Sequence, residues 1–163
     1  MKWTPHLKMN SSRAANEQVH MRLLGIDLGD KRTGIAMADT ITRIASPTEV
    51  IEVPIARRDG ADLLEAIARV ARRELGPASD PGEIVLGLPL NMDGTEGPRA
   101  KLARAFGIRL EQATGRAVRL HDERRTSIDA DVRMARTGLT HGQKKSRRDA
   151  IAAASILTSY LER

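Results

Sequence analysis

The feature that most constrains this chain is a change of pattern near residue 60. Before it, three short apolar runs follow one another: RLLGID, TGIAMAD and residues 46–53. The connections between them, GDKR being the first, are too short to hold a helix. Consecutive strands joined this way form an antiparallel meander. Pro47 near the start of the third run and Pro54 at its end fit a strand that is bounded there.

Beyond residue 60 the pattern alternates. ADLLEAIARVARREL repeats its apolar residues at helical spacing, with Leu63, Leu64, Ile67, Val70, Ala71 and Leu75 on one broad face. GPASDPG is a loop by composition, and EIVLGL is a strand. A helix is expected from about residue 96, with Leu102, Phe106, Leu110 and Ala113 on one stripe and Pro98 in its first turn. AVRLHDE is the fifth strand. A short helix over 126–135, a basic loop up to Arg148 and a last helix over 149–161 complete the chain. Strands separated by crossover helices pair in parallel. The expected fold is therefore α/β: a five-stranded mixed sheet, three strands antiparallel and then two parallel, flanked by helices.

Residues 1–20 are polar, lack apolar periodicity and lack the apolar centre of a secretory signal. They read as a flexible N-terminal extension to one domain over 21–163, and Met21 itself fits a translation start. The chain has no cysteine, which excludes disulfides and thiolate metal sites and suits a reducing cytoplasm. No apolar stretch approaches the roughly 18 residues of a membrane-spanning helix.

Charge points to a polyanion. Lysine and arginine total 27 against 21 acids, and Arg133, Arg136, Lys144, Lys145, Arg147 and Arg148 crowd a stretch with no acid between residues 132 and 148. Aromatic residues are only Trp3, Phe106 and Tyr160, too few for a base-stacking platform. Contact with nucleic acid is then expected through the phosphate backbone.

Three acids stand where elements end or begin: Asp27 after the first strand, Asp122 with Glu123 after the fifth, and Asp149 opening the last helix. In an open α/β sheet, functional groups gather at such places. Carboxylates brought together there would repel one another, and a hard divalent cation, Mg²⁺ or Mn²⁺, relieves that repulsion. Two such ions serve phosphodiester displacement in many enzymes. Asp149 shares a helical stripe with Ala153, Ile156 and Tyr160, which turns it toward the sheet. Each acid also has an ordinary reading: Asp149 as a helix-start charge, Asp27 as a turn residue, Asp122 and Glu123 in a solvated loop. His121 and His141 could act in proton transfer, although the ordinary reading of each is an incidental surface residue.

GIDLGDKRTGIAMAD, VLGLPLNMDGTEGPRA, DERRTS and RRDAIAAASILTSYL, in that order, resemble the successive motifs of the YqgF family. That family comprises RuvC-like proteins of the ribonuclease H-like fold, described as nucleases of precursor 16S ribosomal RNA and as Holliday junction resolvases. The resemblance spans about residues 22–161. It implies metal-dependent phosphodiester hydrolysis in the cytoplasm, by in-line attack of water that leaves a 5′-phosphate and a 3′-hydroxyl. Asp27, Glu123 and Asp149 would be both the catalytic acids and the ligands of two Mg²⁺ or Mn²⁺ ions. Lys31, Arg32 and Arg124 would contact nucleic acid, with Lys144, Lys145, Arg147 and Arg148 of the basic stretch as a clamp. Precursor ribosomal RNA, branched DNA and the ribosome are the implied partners. The departures are Arg125 and Ser127 in DERRTS, where the family commonly has an apolar residue and threonine. Two rivals remain at this point: a nucleotide-binding ATPase or kinase of the actin type, and a non-catalytic RNA-binding module.

Overall fold

A computed structural model describes residues 19–125 and 141–163. The expected 1–20 extension, apart from Val19 and His20, and the expected 126–135 helix lie outside the described residues. The elements run β1 (Arg22–Leu28), β2 (Thr33–Asp39), β3 (Ala45–Ile51), α1 (Ala61–Leu75), β4 (Gly82–Leu88), α2 (Pro98–Thr114), β5 (Val118–Asp122) and α3 (His141–Leu161). The sheet order is β3-β2-β1-β4-β5. β1 pairs antiparallel with β2 and β2 with β3, whereas β4 pairs parallel with β1 and with β5. This is the mixed sheet that the change of pattern near residue 60 implies.

The period of two along each strand sorts the sheet into two faces. Leu24, Ile26 and Leu28 of β1, with Ile84, Leu86 and Leu88 of β4, pack in one core with Leu63, Ile67, Phe106 and Leu110 of α1 and α2. Leu23, Val85, Ala36 and Ala38 face the other way, onto Ala153, Ala154, Ile156 and Leu157 of α3. Asp27 follows Leu23 and Gly25 at steps of two, so it belongs to the α3 face.

Small residues bring α3 close to the sheet. A Cβ at Gly25 would stand 2.5 Å from Cγ of Leu157, and one at Gly34 would stand 1.8 Å from the carbonyl oxygen of Asp149. Burying Leu157 and Ile156 against that surface contributes roughly 1.5–3 kcal/mol each.

The last helix corrects the sequence reading. It begins at His141, eight residues before the expected start, so residues 141–148 are helical rather than a loop. HGQKKSRR carries no apolar stripe that a periodicity search could find, yet Gln, Lys and Arg are good helix formers. Asp149 thus lies well inside the helix, which removes its reading as a cap or first-turn charge.

The opposite end of the sheet is closed by Arg116, only 4% exposed. Its guanidinium donates to the carbonyls of Leu75, Gly76, Pro77, Asp80 and Gly82. It thereby satisfies the Leu75 and Gly76 carbonyls left over at the end of α1 and ties them to the chain entering β4.

Candidate active site

Asp27 is the sixth residue of β1 and lies opposite Gly34 of β2. Glu123 follows β5 directly, at the end where β4 finishes in Gly87 and Leu88. A Cβ at Gly87 would stand 1.8 Å from Glu123 Oε1, so the glycine makes the space that the carboxyl fills. Asp149 arrives on α3 across Gly34. The three acids therefore meet at one corner of the sheet, the carboxyl ends of β1, β4 and β5.

Their electrostatics show how closely they meet. Burial pushes the Asp27 carboxyl up to about 6; the charge of Asp149 adds to this, and Arg99 and a hydrogen bond with Glu123 oppose it. Burial also pushes Glu123 up to about 7, reinforced by Asp27, opposed by Arg99 and raised further by Asp122. A hydrogen bond between two carboxyls requires a proton on one of them, so the pair holds one proton between Asp27 and Glu123. Asp149 Oδ2 lies 3.1 Å from Arg32 Nε. The N–H is not aimed at it, and Oδ2 is buried without a hydrogen bond.

These donors suit a hard divalent cation: carboxylate oxygens only, an excess of negative charge and one buried oxygen without a partner. Among the described residues, no three acids form a closed set of metal ligands. Instead Asp27 and Glu123 share a proton, and Asp149 is held by Arg32. A cation would compete with that proton and that arginine.

The cations expected to face nucleic acid are placed variously. Lys31 is exposed in the β1–β2 turn, and Arg147 and Arg148 are exposed on the early turns of α3. The side chains of Lys144 and Lys145 lie outside the described residues. Arg32 is engaged by Asp149. Arg124 folds back on Asp122, its Nε 2.8 Å and its Nη2 2.6 Å from Oδ2. That contact is the first cause holding the Asp122 carboxyl below its ordinary range. Asp122 thus serves to hold Arg124.

Two residues escaped the sequence reading. Arg99, at the start of α2, bears on both raised carboxyls, and its run reads from sequence as a helix start, capped or phosphate-binding through its amides, with nothing that singles out this side chain. His121, expected at the surface, is 2% exposed. Its Nε2 lies 2.9 Å from Ser159 Oγ, and its ring stands edge-on to Tyr160. Burial lowers its pKa, so the neutral ring is favoured. Alternation along β5 would have turned it to the α3 face, had that face been recognised as covered.

A roomy concavity of about 830 Å³ lies elsewhere, between the C-terminal ends of α1 and α2. Its lining includes Arg69, Arg72, Arg73 and Arg116 but none of the three acids. Basic groups there complement two helix C-termini, and the chemistry is better sought at the carboxylate corner.

A family model described as RuvX, Holliday junction resolvase, matches residues 21–163. A protein of Anaeromyxobacter sp. (strain K) named "Putative pre-16S rRNA nuclease" is 47% identical over 143 residues, covering 88% of this chain and 98% of its own. Among solved structures, Thermus thermophilus RuvC in complex with a Holliday junction substrate superposes with a TM-score of 0.55 at 19% identity, over 88% of this chain and 94% of that one. The fowlpox virus resolvase with its substrate Holliday junction DNA gives 0.53 at 15% identity, over 87% and 97%. At these identities the two structures show the fold, which is the ribonuclease H-like fold of RuvC. With residues 21–163 matching the family model and a curated relative 47% identical over 88% of the chain, this chain belongs to the RuvX (YqgF) family.

Proposed function

We propose that this chain is a hydrolase that cleaves phosphodiester bonds of nucleic acid at the corner formed by Asp27, Glu123 and Asp149, and that its substrate is the 5′ end of precursor 16S ribosomal RNA. The observation that carries the reading is the buried carboxyl pair itself. A fold that keeps Asp27 and Glu123 in contact, at about 6 and 7, retains groups that cost it stability at neutral pH. Such groups gather where chemistry needs them. A divalent cation bound there supplies positive charge against the phosphodiester and makes water a better nucleophile.

The chain's own residues do the rest. Asp27 and Glu123 would give up their shared proton to hold the cation beside the scissile bond, and Arg32 keeps Asp149 oriented on α3. Lys31, Arg32, Arg124, Lys144, Lys145, Arg147 and Arg148 supply positive charge for the phosphate backbone. Magnesium or manganese suits the all-oxygen donors, and the ribosome-assembly pathway in the cytoplasm is the fitting setting. Among the described residues, no helix is long and apolar enough to cross a membrane.

The test is cleavage of a precursor 16S RNA fragment by purified protein with Mg²⁺ or Mn²⁺. Asp27→Asn, Glu123→Gln and Asp149→Asn are each expected to lose about a thousandfold or more in rate, as when a group acting directly on the transition state is removed. Full cleavage by Asp27→Asn overturns the proposal. The family description and the two junction-bound neighbours favour a second reading, resolution of four-way DNA junctions. That activity needs two sites in a symmetric dimer. Symmetric nicking of a junction by a species of twice the chain mass selects it.

A further inference from the structure

Around the carboxylate corner, three arginines are each held by an aspartate of the same chain: Arg32 by Asp149, Arg124 by Asp122 and Arg99 by Asp30. The three pairs are not equivalent. Asp149 belongs to the acid trio, so Arg32 cannot leave it without altering that group. Asp122 accepts from the Arg124 side chain and also from its backbone amide, 3.0 Å away. The Arg99–Asp30 pair has neither tie, and its side chains are 56% and 73% exposed.

Arg99 stands at the second position of α2, after Pro98. A cation in the first turn sits at the unfavourable end of the helix dipole. Asp30 offsets this from the β1–β2 turn, both its oxygens 2.9 Å from Arg99 Nη1. Arg99 Nη2 also reaches toward the carbonyl of Leu28, 3.5 Å away and next in sequence to Asp27. The turn itself is tightly built: a Cβ at Gly29 would stand 2.2 Å from the Arg32 carbonyl, and the Asp30 carbonyl accepts from the Ile55 amide at 3.0 Å. Exchange of partners therefore falls to the Arg99 side chain and not to the turn.

We infer that Arg99 is a phosphate-binding residue beside the carboxylate corner and that Asp30 occupies it, in the free protein, as an internal stand-in for a backbone phosphate. A carboxylate and a phosphodiester present the same kind of paired anionic oxygens to a guanidinium. An ion pair between two exposed groups is weak, so a phosphate entering beside Asp27 displaces Asp30 at little cost. This inference rests on the nucleic-acid reading of the same corner and adds a residue and a competitor to it.

Binding without cleavage tests it. Fluorescence anisotropy is measured in EDTA, over a range of salt, with a labelled four-way DNA junction and a labelled precursor 16S RNA 5′ fragment. Arg99→Gln is expected to weaken binding about tenfold and to reduce the salt slope by about one. Asp30→Asn is expected to tighten binding roughly three- to tenfold and steepen the slope, because the freed arginine now releases a counterion. In the double variant, Asp30→Asn should add nothing. Equal tightening by Asp30→Asn with and without Arg99 overturns the inference, since Asp30 would then act only as a repelling charge; so does unchanged binding by Arg99→Gln. Should Arg99→Gln melt several degrees low, Arg99→Lys replaces it: affinity at wild-type level with Lys then also overturns a role for the guanidinium. Wild-type protein that binds neither probe overturns the nucleic-acid reading as well.

Discussion

Gly34 lies beneath Asp149 so closely that a Cβ on the glycine would stand 1.8 Å from the carbonyl oxygen of the aspartate. The same glycine pairs across the sheet with Asp27. One missing side chain thus sets the distance between strand and helix at the point where two of the three acids meet.

Gly34→Ala should therefore unseat α3. The obstruction is backbone, which cannot rotate aside, so the cost falls at the upper end for overpacking, about 3 kcal/mol. Thermal melting should fall by roughly 6–12 °C. Gly25→Ala meets mainly the Leu157 side chain, with the Ala153 carbonyl at 2.9 Å, and should cost less. Melting curves of the two variants check the order.

Gly87→Ala should separate activity from stability. Its Cβ would fall on the Glu123 carboxyl, with Ile156 Cδ1 2.7 Å away, and both obstacles are side-chain ends. Glu123 is displaced while the sheet survives. Cleavage should drop by about two orders of magnitude, and melting by only roughly 2–4 °C, about 1 kcal/mol. Parallel activity and melting measurements check this.

The carboxyl pair makes stability fall as pH rises. Asp27 and Glu123 bind protons more tightly folded, at about 6 and 7, than their ordinary values of 3.8 and 4.5. Below about pH 3 both states are protonated and the pair has no effect. Between there and about pH 7 the folded state holds protons that the unfolded state has lost, so stability declines and then levels off. Asp27→Asn removes this penalty. At pH 8 it should be more stable than wild type by about 2 kcal/mol, roughly 4–8 °C in melting temperature, and indistinguishable at about pH 3.

Divalent metal should act in the opposite sense. Mg²⁺ or Mn²⁺ binding only the folded acids stabilises the fold by about 2.7 kcal/mol at one hundred times its dissociation constant, and so raises the melting temperature. Protons compete for the same oxygens, so the gain at pH 8 should largely vanish at pH 5. Asp27→Asn should show little gain at either pH. Melting with and without EDTA measures all three.

Arg116→Ala should destabilise by about 3 kcal/mol, because it removes a buried guanidinium that ties five carbonyls between the end of α1 and the start of β4, the buried Leu75 carbonyl among them. Lysine has only one ammonium to offer five carbonyls and should recover part of the loss. The cleavage rate per folded molecule should stay at the wild-type level, since Arg116 closes the far end of the sheet. Chemical denaturation and active-site-normalised rates check it.

Much of this arrangement was legible in the order of residues. Three close runs and then strands spaced by helices imply a meander followed by parallel pairing, because connection length limits which pairings are possible. Steps of two along β1 put Asp27 on the face of Leu23 and Gly25, and steps of three and four put Asp149 on the face of Ala153 and Ile156. Both periods are local backbone geometry, and local geometry is what a sequence carries directly. The tertiary structure alone decided the rest. Residues 141–148 are helical without an apolar stripe to announce it. Arg99 and Asp30 lie 69 residues apart and meet only because α2 packs beside the β1–β2 turn. The shared proton of Asp27 and Glu123 depends on burial, and burial belongs to the assembled layers and not to either residue. Gly25, Gly34 and Gly87 read alike in the sequence, but what each would strike depends on the neighbour that folding brings to it.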